Sequence, residues 1–284
     1  HARLGAGEYL VAEADESDGS FELLQPVMAV VTNIDEDHMQ TFDNDIQVLN
    51  QAFNNFIHRV PFYGVTVLGV DDERVAELAT RVSRHKVTFG ISSKAQVRAV
   101  NIRQNHEFMT FDVVVDGLPL LQDIRLNIAG EYNVLNALAA LSVALELDVP
   151  AAVIKRALGG FTGVGRRFNI HKIAAPKGGQ FTLIDDYAHH PTAVAAVIAA
   201  CRDGWPDQRL VVVFQPHRYS RTRDLFDELS DVLNDADVLV LSEVYAAGES
   251  EISGATAVDL SRSIRNRGKL DPIFVQDVYQ LPET

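Results

Sequence analysis

The period of apolar and polar positions changes along the chain. Val27 to Ile34 and Val65 to Val70 are unbroken apolar runs of strand length, and short runs of this kind read as buried strands. Between them, Ile46, Leu49, Phe53, Phe56 and Ile57 recur at helical spacing and predict an amphipathic helix over Ile46 to Ile57. Glu8 to Asp15 predicts a further buried strand that ends in acids, and Asp72 to Arg84 a second helix. Three β-rich stretches follow, at Val87 to Ile91, Val97 to Ile102 and Phe108 to Ile128. The last contains Asp116-Gly117, the dipeptide of a tight hairpin. Asn133 to Leu147 is apolar enough for a buried helix, and Pro150 opens a short one that runs to Leu158.

The second half is more regular. Strands at Phe181 to Ile184, Leu210 to Phe214, Val238 to Leu241 and Ile273 to Val275 alternate with helices at Pro191 to Arg202, Thr222 to Asn234 and Ala257 to Arg267. That order predicts a doubly wound parallel sheet. Gly159, Gly160, Gly163 and Gly165 cluster just before it and mark a hinge and a boundary near residue 164. The expected fold class is therefore α/β: the remainder of a central mixed-sheet domain over 1–164, then a Rossmann-like parallel-sheet domain over 165–284.

Composition narrows the function. A net charge of −14 over 284 residues disfavours a general nucleic-acid binder, because a phosphate backbone repels such a surface. Apolar runs such as Leu210 to Phe214 fall far short of a membrane span. A single cysteine, Cys201, excludes an internal disulfide and a cysteine zinc site, and fits a reducing cytoplasm. The first residue is not Met, so the chain is expected to begin inside a larger protein.

In open α/β sheets, ligands bind beyond the carboxyl ends of the strands. Five such ends carry dense polar runs: Glu13 to Asp18, Thr32 to His38, Asp185 to His190, Gln215 to Arg221 and Ser242 to Tyr245. Glu13 and His38 are expected at the ends of adjacent parallel strands, where they hold a divalent cation or serve only as a surface acid and a helix cap. Mg²⁺ prefers oxygen ligands, which counts against the histidine. Arg218 and Arg221 begin a helix after a strand; their forks fit a carboxylate or phosphate, or pair on the surface with Asp224 or Glu228. Arg166-Arg167 has the same two readings. His189 and His190 precede Pro191 at a helix entrance, where either can position or deprotonate an amine or act as a cap. Asn133 and Asn136, three apart after Gly130, contact a nucleotide or cap their helix. A metallohydrolase using Asp37-His38 and Asp186-His189 is a rival reading, as is a non-catalytic nucleotide-binding fragment.

These runs together resemble the Mur ligases of peptidoglycan synthesis. The resemblance rests on EADESDGSF at 13–21, VTNIDEDHMQTF at 31–42, GEYNVLNALAA at 130–140, GVGRRF at 163–168, DDYAHHPTAV at 185–194, FQPHRYSRTRDL at 214–225 and EVYAAGE at 243–249. It implies a central ATP-binding domain and an amino-acid-binding domain, with ATP and Mg²⁺ as cofactors. DDYAHHP with FQPHRYSRT resembles the branch that joins L-alanine to UDP-N-acetylmuramate; the branch that attaches a recycled peptide is the alternative. By this resemblance, Glu13 and His38 bind Mg²⁺, Asn133 and Asn136 contact the nucleotide, and Asp186 meets its ribose. Arg167 approaches the ATP phosphates and is catalytic together with His189. Tyr187, His189, Arg218 and Arg221 form the amino-acid site. The protein is expected to be a cytoplasmic monomer or homodimer. Where the family pattern has His before the first Asn, this chain has Tyr132. The family's phosphate loop lies upstream of such a start, and no G-x-x-x-x-G-K-[ST] occurs here. The chain is thus expected to be a fragment, inactive as it stands.

Overall fold

The computed structural model describes residues 4–175 and 178–279. The chain packs as two compact units, His1–Thr88 and Phe89–Thr284.

In the first unit, β1 (Met28–Val31) pairs in parallel with β2 (Val65–Gly69). All five residues of β2 are buried, which is why it reads as one apolar run. Between them runs α1 (Ile46–His58), whose Asp45 accepts a hydrogen bond from the Gln47 amide as N-cap. Its buried residues are Leu49, Ala52, Phe56 and Ile57; of the face the spacing predicts, Leu49, Phe56 and Ile57 are buried and Ile46 and Phe53 half-buried. Phe53 adds a ring contact to Phe21, with centroids 5.1 Å apart. α2 (Glu73–Arg81) follows, capped by Asp72 through the Val75 amide. β3 (Lys86–Gly90) then carries the chain into the second unit.

One expected strand is absent. Residues 8–15 form no strand, and Tyr9, Leu10 and Val11 stand exposed, Leu10 and Val11 at more than nine-tenths. An apolar run becomes a strand only where a neighbour supplies its ladder of hydrogen bonds. None of the described strands pairs with this segment.

In the second unit, the end of β3 pairs in parallel with β4 (Val97–Asn105). β5 (Phe108–Val115) and β6 (Leu118–Leu126) continue as antiparallel neighbours. Asp116 and Gly117 both take positive φ, 49° and 81°, the tight hairpin turn that their dipeptide predicts. α3 (Glu131–Glu146) and α4 (Ala151–Gly160) follow. The glycine-rich segment after Gly160 leads into β7 (Asn169–Ala174).

The expected parallel sheet is realised in part. β9 (Val211–Phe214), β10 (Val238–Ser242) and β11 (Ile273–Val275) form a parallel ladder in the order β11-β10-β9. β8 (Gln180–Asp185) is not hydrogen-bonded into that ladder; it pairs antiparallel with β7, a strand the pattern did not single out. The two are neighbours along the chain, and pairing with each other gives one edge of each a hydrogen-bonded partner.

The helices of this region are α5 (Pro191–Gly204), α6 (Tyr219–Asp224), α7 (Phe226–Leu233) and α8 (Ala257–Asn266). The single helix expected over 222–234 is broken at Leu225, which leaves helical geometry at φ −117° and ψ 30°. One core joins these elements: Val194 and Ile198 of α5, Phe214 of β9, Leu229 and Leu233 of α7, Leu239 and Leu241 of β10, and Leu260 and Ile264 of α8. Each large side chain buried there contributes roughly 1.5–3 kcal/mol. That core fixes the strand ends from which the polar loops project. No helix among the described residues is long and apolar enough to cross a membrane.

Candidate active site

The loops after β9 and β10 are joined by backbone hydrogen bonds. Tyr245 N–H donates to the Pro216 carbonyl at 2.8 Å, and Arg218 N–H donates to the Tyr245 carbonyl at 2.9 Å. His217 and Tyr245 form an isolated parallel bridge. Arg218 sits at φ 69° and ψ 135°, a region a non-glycine residue rarely occupies. Its bonds to the neighbouring loop hold it there, and α6 starts at the next residue.

This turn brings four rings into a row. Tyr187 lies 5.1 Å from His189, His189 lies 5.6 Å from His217, and His217 stacks on Tyr245 at 5.4 Å. Cations stand against two of the rings. The Arg166 guanidinium is 4.5 Å and that of Arg167 5.9 Å from the Tyr187 ring centre. Beside the third ring Arg221 is buried, its Nη1 3.2 Å from His217 Nδ1. Arg218, by contrast, is exposed. Asp224 pairs with Arg223 at 2.7 Å.

The proton positions follow from these contacts. His189 Nδ1 lies 2.8 Å from the Tyr187 carbonyl oxygen, which can only accept. Nδ1 therefore carries the proton, and Nε2 is the basic nitrogen of the neutral ring. A guanidinium can only donate, so His217 Nδ1 is an acceptor and that ring is neutral. Burial holds the His217 pKa below its ordinary 6.5, reinforced by the charge of Arg221 and by His189 and Arg218.

Asp186 ties the linker to this row. Its Oδ2 accepts from the Phe168 amide at 2.8 Å and its Oδ1 from the Ala188 amide at 2.7 Å. Tyr187 N–H donates to the Arg166 carbonyl at 2.9 Å. Both carboxylate oxygens of the expected ribose ligand thus already serve backbone amides. Phe168 packs into a cluster with Ala129, Ala200, Cys201 and Trp205, and Tyr132 packs against it.

α3 begins at this cluster. Gly130 takes φ 95°, and a methyl group there would meet the Tyr132 ring at 2.5 Å. Asn133 Nδ2 donates to the Ala129 carbonyl at 2.6 Å, and Asn136 Nδ2 lies 3.5 Å from Asn133 Oδ1. The two amides expected to meet a nucleotide are thus side by side on one helix face. The Tyr132 hydroxyl is buried and makes no full hydrogen bond. Burial raises its pKa, and the charge of Asp186 adds to the effect.

The expected metal pair lies in the first unit. Glu13 is on the exposed segment that forms no strand, so it does not stand at a strand end beside His38. His38 occupies the N-cap position of a short 3₁₀ turn at φ 55° without capping it, and its Nε2 is 3.6 Å from Asp37 Oδ2. Among the described residues no three His, Cys, Asp or Glu side chains gather to hold a metal ion.

The structure thus brings together Arg166, Arg167, Asp186, Tyr187, His189 and Arg221, and adds His217 and Tyr245, which no sequence expectation assigns. His217 and Tyr245 stand in the strand-end runs, but no spacing rule joins rings 28 positions apart.

Two family models match this chain: the Mur ligase middle domain over residues 2–144, and the Mur ligase glutamate ligase domain over 166–284. The chain belongs to the Mur ligase family. Curated Mur ligases named UDP-N-acetylmuramate–L-alanine ligase are similar over its whole length. That of Azoarcus sp. (strain BH72) is 52% identical over 286 residues, which cover 100% of this chain and 61% of that protein. That of Methylococcus capsulatus is 53% identical over 276 residues, 97% of this chain and 58% of that protein. The chain therefore spans about 60% of the length of these relatives. Among solved structures, the UDP-N-acetylmuramate-alanine ligase MurC of Thermotoga maritima superposes with a TM-score of 0.75 at 26% identity, covering 95% of this chain and 56% of that one. MurF of Acinetobacter baumannii shares the fold at a TM-score of 0.70 and 23% identity, covering 94% of this chain and 54% of that one.

Proposed function

We propose that the whole protein joins L-alanine to the carboxylate of UDP-N-acetylmuramate at the expense of ATP, in the cytoplasm, as a monomer or homodimer, in peptidoglycan precursor synthesis. Identity of about half over the full chain to relatives of that name supports the reading. The observation that carries it is the ring row, with Arg166 and Arg167 over Tyr187 at one end and Arg221 held against His217 further along.

In this reading the γ-phosphoryl group of ATP passes to a carboxylate oxygen of UDP-N-acetylmuramate and ADP leaves. The alanine amine then attacks the carbonyl carbon of the acyl phosphate. The C–O bond to phosphate breaks, and inorganic phosphate leaves an amide. Arg167, beside Tyr187, answers the negative charge on the transferring phosphoryl oxygens. His189 Nε2 accepts a proton from the attacking amine. Arg218 and Arg221 grip the α-carboxylate of alanine, a planar two-oxygen anion that matches a guanidinium. Tyr187 lines the same site. Asn133 and Asn136 contact the nucleotide, with Asp186 near its ribose.

Mg²⁺ belongs to the family reading through Glu13 and His38, but these two residues do not form a ligand set here. We also propose a domain division near residue 164, supported by the glycine-rich segment and by family models that end at 144 and begin at 166.

The test is phosphate release by the full-length protein. Release should require UDP-N-acetylmuramate and L-alanine together. Release that ignores L-alanine would contradict the proposal.

A further inference from the structure

The EVYAAGE run contributes Tyr245 to the ring row, but its last residue has no part in the chemistry above. Ala246 to Glu249 is a tight turn in which Glu249 N–H donates to the Ala246 carbonyl at 3.0 Å. Ala247 and Gly248 both take positive φ, 49° and 89°. An alanine there is strained, and the turn points the half-buried Glu249 at the start of α6. Its Oε2 accepts from the Ser220 amide at 2.9 Å and its Oε1 from the Ser220 hydroxyl at 2.6 Å.

We propose that Glu249 is a positioning residue for the arginine pair: by holding the first turn of α6 from 29 positions away, it sets where Arg218 and Arg221 stand. This rests on the reading of that pair as the carboxylate site.

α6 has six residues, and its own N-cap residue, Arg218, makes no side-chain cap. So short a helix does not hold itself in water, and its first amides need outside acceptors. Glu249 supplies one with a full negative charge, the favourable sign at a helix start. Ser220 is flanked by Tyr219 and Arg221. Without the carboxylate, the turn that presses Arg221 against His217 loses its anchor. Burial pushes the Glu249 carboxyl up, but the bonds from Ser220 and the charge of Arg218 outweigh it and hold the group below its ordinary value. It is thus ionised wherever the site works.

A purely electrostatic role predicts the opposite sign. A carboxylate beside an anion site repels the anion, so removing it would lower the KM for alanine. Positioning predicts a rise.

The experiment compares the full-length protein with its Glu249→Ala, Glu249→Gln, Ser220→Ala and Arg221→Ala variants, by KM for L-alanine and for ATP. Glu249→Ala should raise the KM for alanine about tenfold or more, the size expected for a lost charge-assisted bond, and move the KM for ATP less than twofold. Glu249→Gln keeps one acceptor and should fall between. Ser220→Ala keeps the amide bond and should raise it about threefold. General loosening of the fold would move both KM values together and overturn the proposal. So would an unchanged or lowered alanine KM in Glu249→Ala while Arg221→Ala raises it. If Glu249→Ala does not fold, judged by circular dichroism, Glu249→Gln decides by the same criteria. If Arg221→Ala itself leaves the alanine KM unchanged, the carboxylate reading fails and takes this inference with it.

Discussion

Arg221 donates from Nη1 toward Nδ1 of His217, four residues earlier and just ahead of α6, at 3.2 Å. The pair is one-way, because a guanidinium offers no acceptor and the imidazole nitrogen must carry a lone pair. A protonated His217 would face the cation with a second positive charge.

This relationship has a titration signature. The folded pKa of His217 lies below 6.5, with burial the largest cause and Arg221 the next. The unfolded chain then takes up this proton first as pH falls. The associated stability is whole above pH 6.5 and is lost as pH falls through that value toward the folded pKa. Arg221→Ala should raise the His217 pKa without restoring it fully, since burial remains. An NMR titration of the imidazole reads this directly, and an unmoved pKa would contradict the pairing.

Tyr132 carries a buried hydroxyl that makes no full hydrogen bond, with only a weaker interaction with the Asn133 side chain. Removing it relieves a desolvated polar group, so Tyr132→Phe should leave the fold intact and gain about 1 kcal/mol. Tyr132→Ala should lose about 3 kcal/mol, because the ring fills the cluster with Phe168, Cys201 and Trp205. Urea unfolding of both variants measures this. A loss of stability in the Phe variant would mean that the hydroxyl has a partner in solution.

Gln104 bridges three segments. Its Nε2 donates to the Ala200 carbonyl of α5 at 2.7 Å and lies 3.2 Å from the His106 carbonyl, while its Oε1 accepts from the Gly130 amide at 3.2 Å. Gln104→Ala strands these groups and should cost about 1–3 kcal/mol. Gly204 lies against the same side chain; a methyl group there would sit 2.6 Å from Gln104 Nε2 and 3.0 Å from the His106 carbonyl. Gly204→Ala should therefore destabilise, although alanine favours a helix over glycine by about 1 kcal/mol. The double variant should cost less than the sum, since one of the two clashes is gone. Equal, additive costs would show that the two sites do not meet.

What could be read in advance followed the physics of each signal. α1 and the Asp116-Gly117 turn depend on local spacing and backbone preference, and both stand as expected. Residues 8–15 contain an apolar run, Tyr9 to Ala12, of the kind that also marks β2, but a strand is made by its neighbour, and composition does not report neighbours. β8 failed the parallel expectation for the same reason: alternation with helices does not say which strand it will pair with. At the site, Arg221 and His189 were legible as polar residues after strands. The stacking of His217 on Tyr245, and the reach of Glu249 to Ser220, depend on two loops meeting. No one-dimensional pattern records that meeting.

The central claim is that the arginine pair selects the substrate through its α-carboxylate. Ethylamine, which is alanine without that carboxylate, tests it most directly as an alternative amine acceptor for the full-length protein and its Arg221→Ala variant. The wild type should prefer L-alanine over ethylamine in kcat/KM by at least about a hundredfold, as two charge-assisted contacts imply. In Arg221→Ala that preference should collapse to about tenfold or less, through loss of activity on alanine with little change on ethylamine. A preference that survives in the variant would contradict the account.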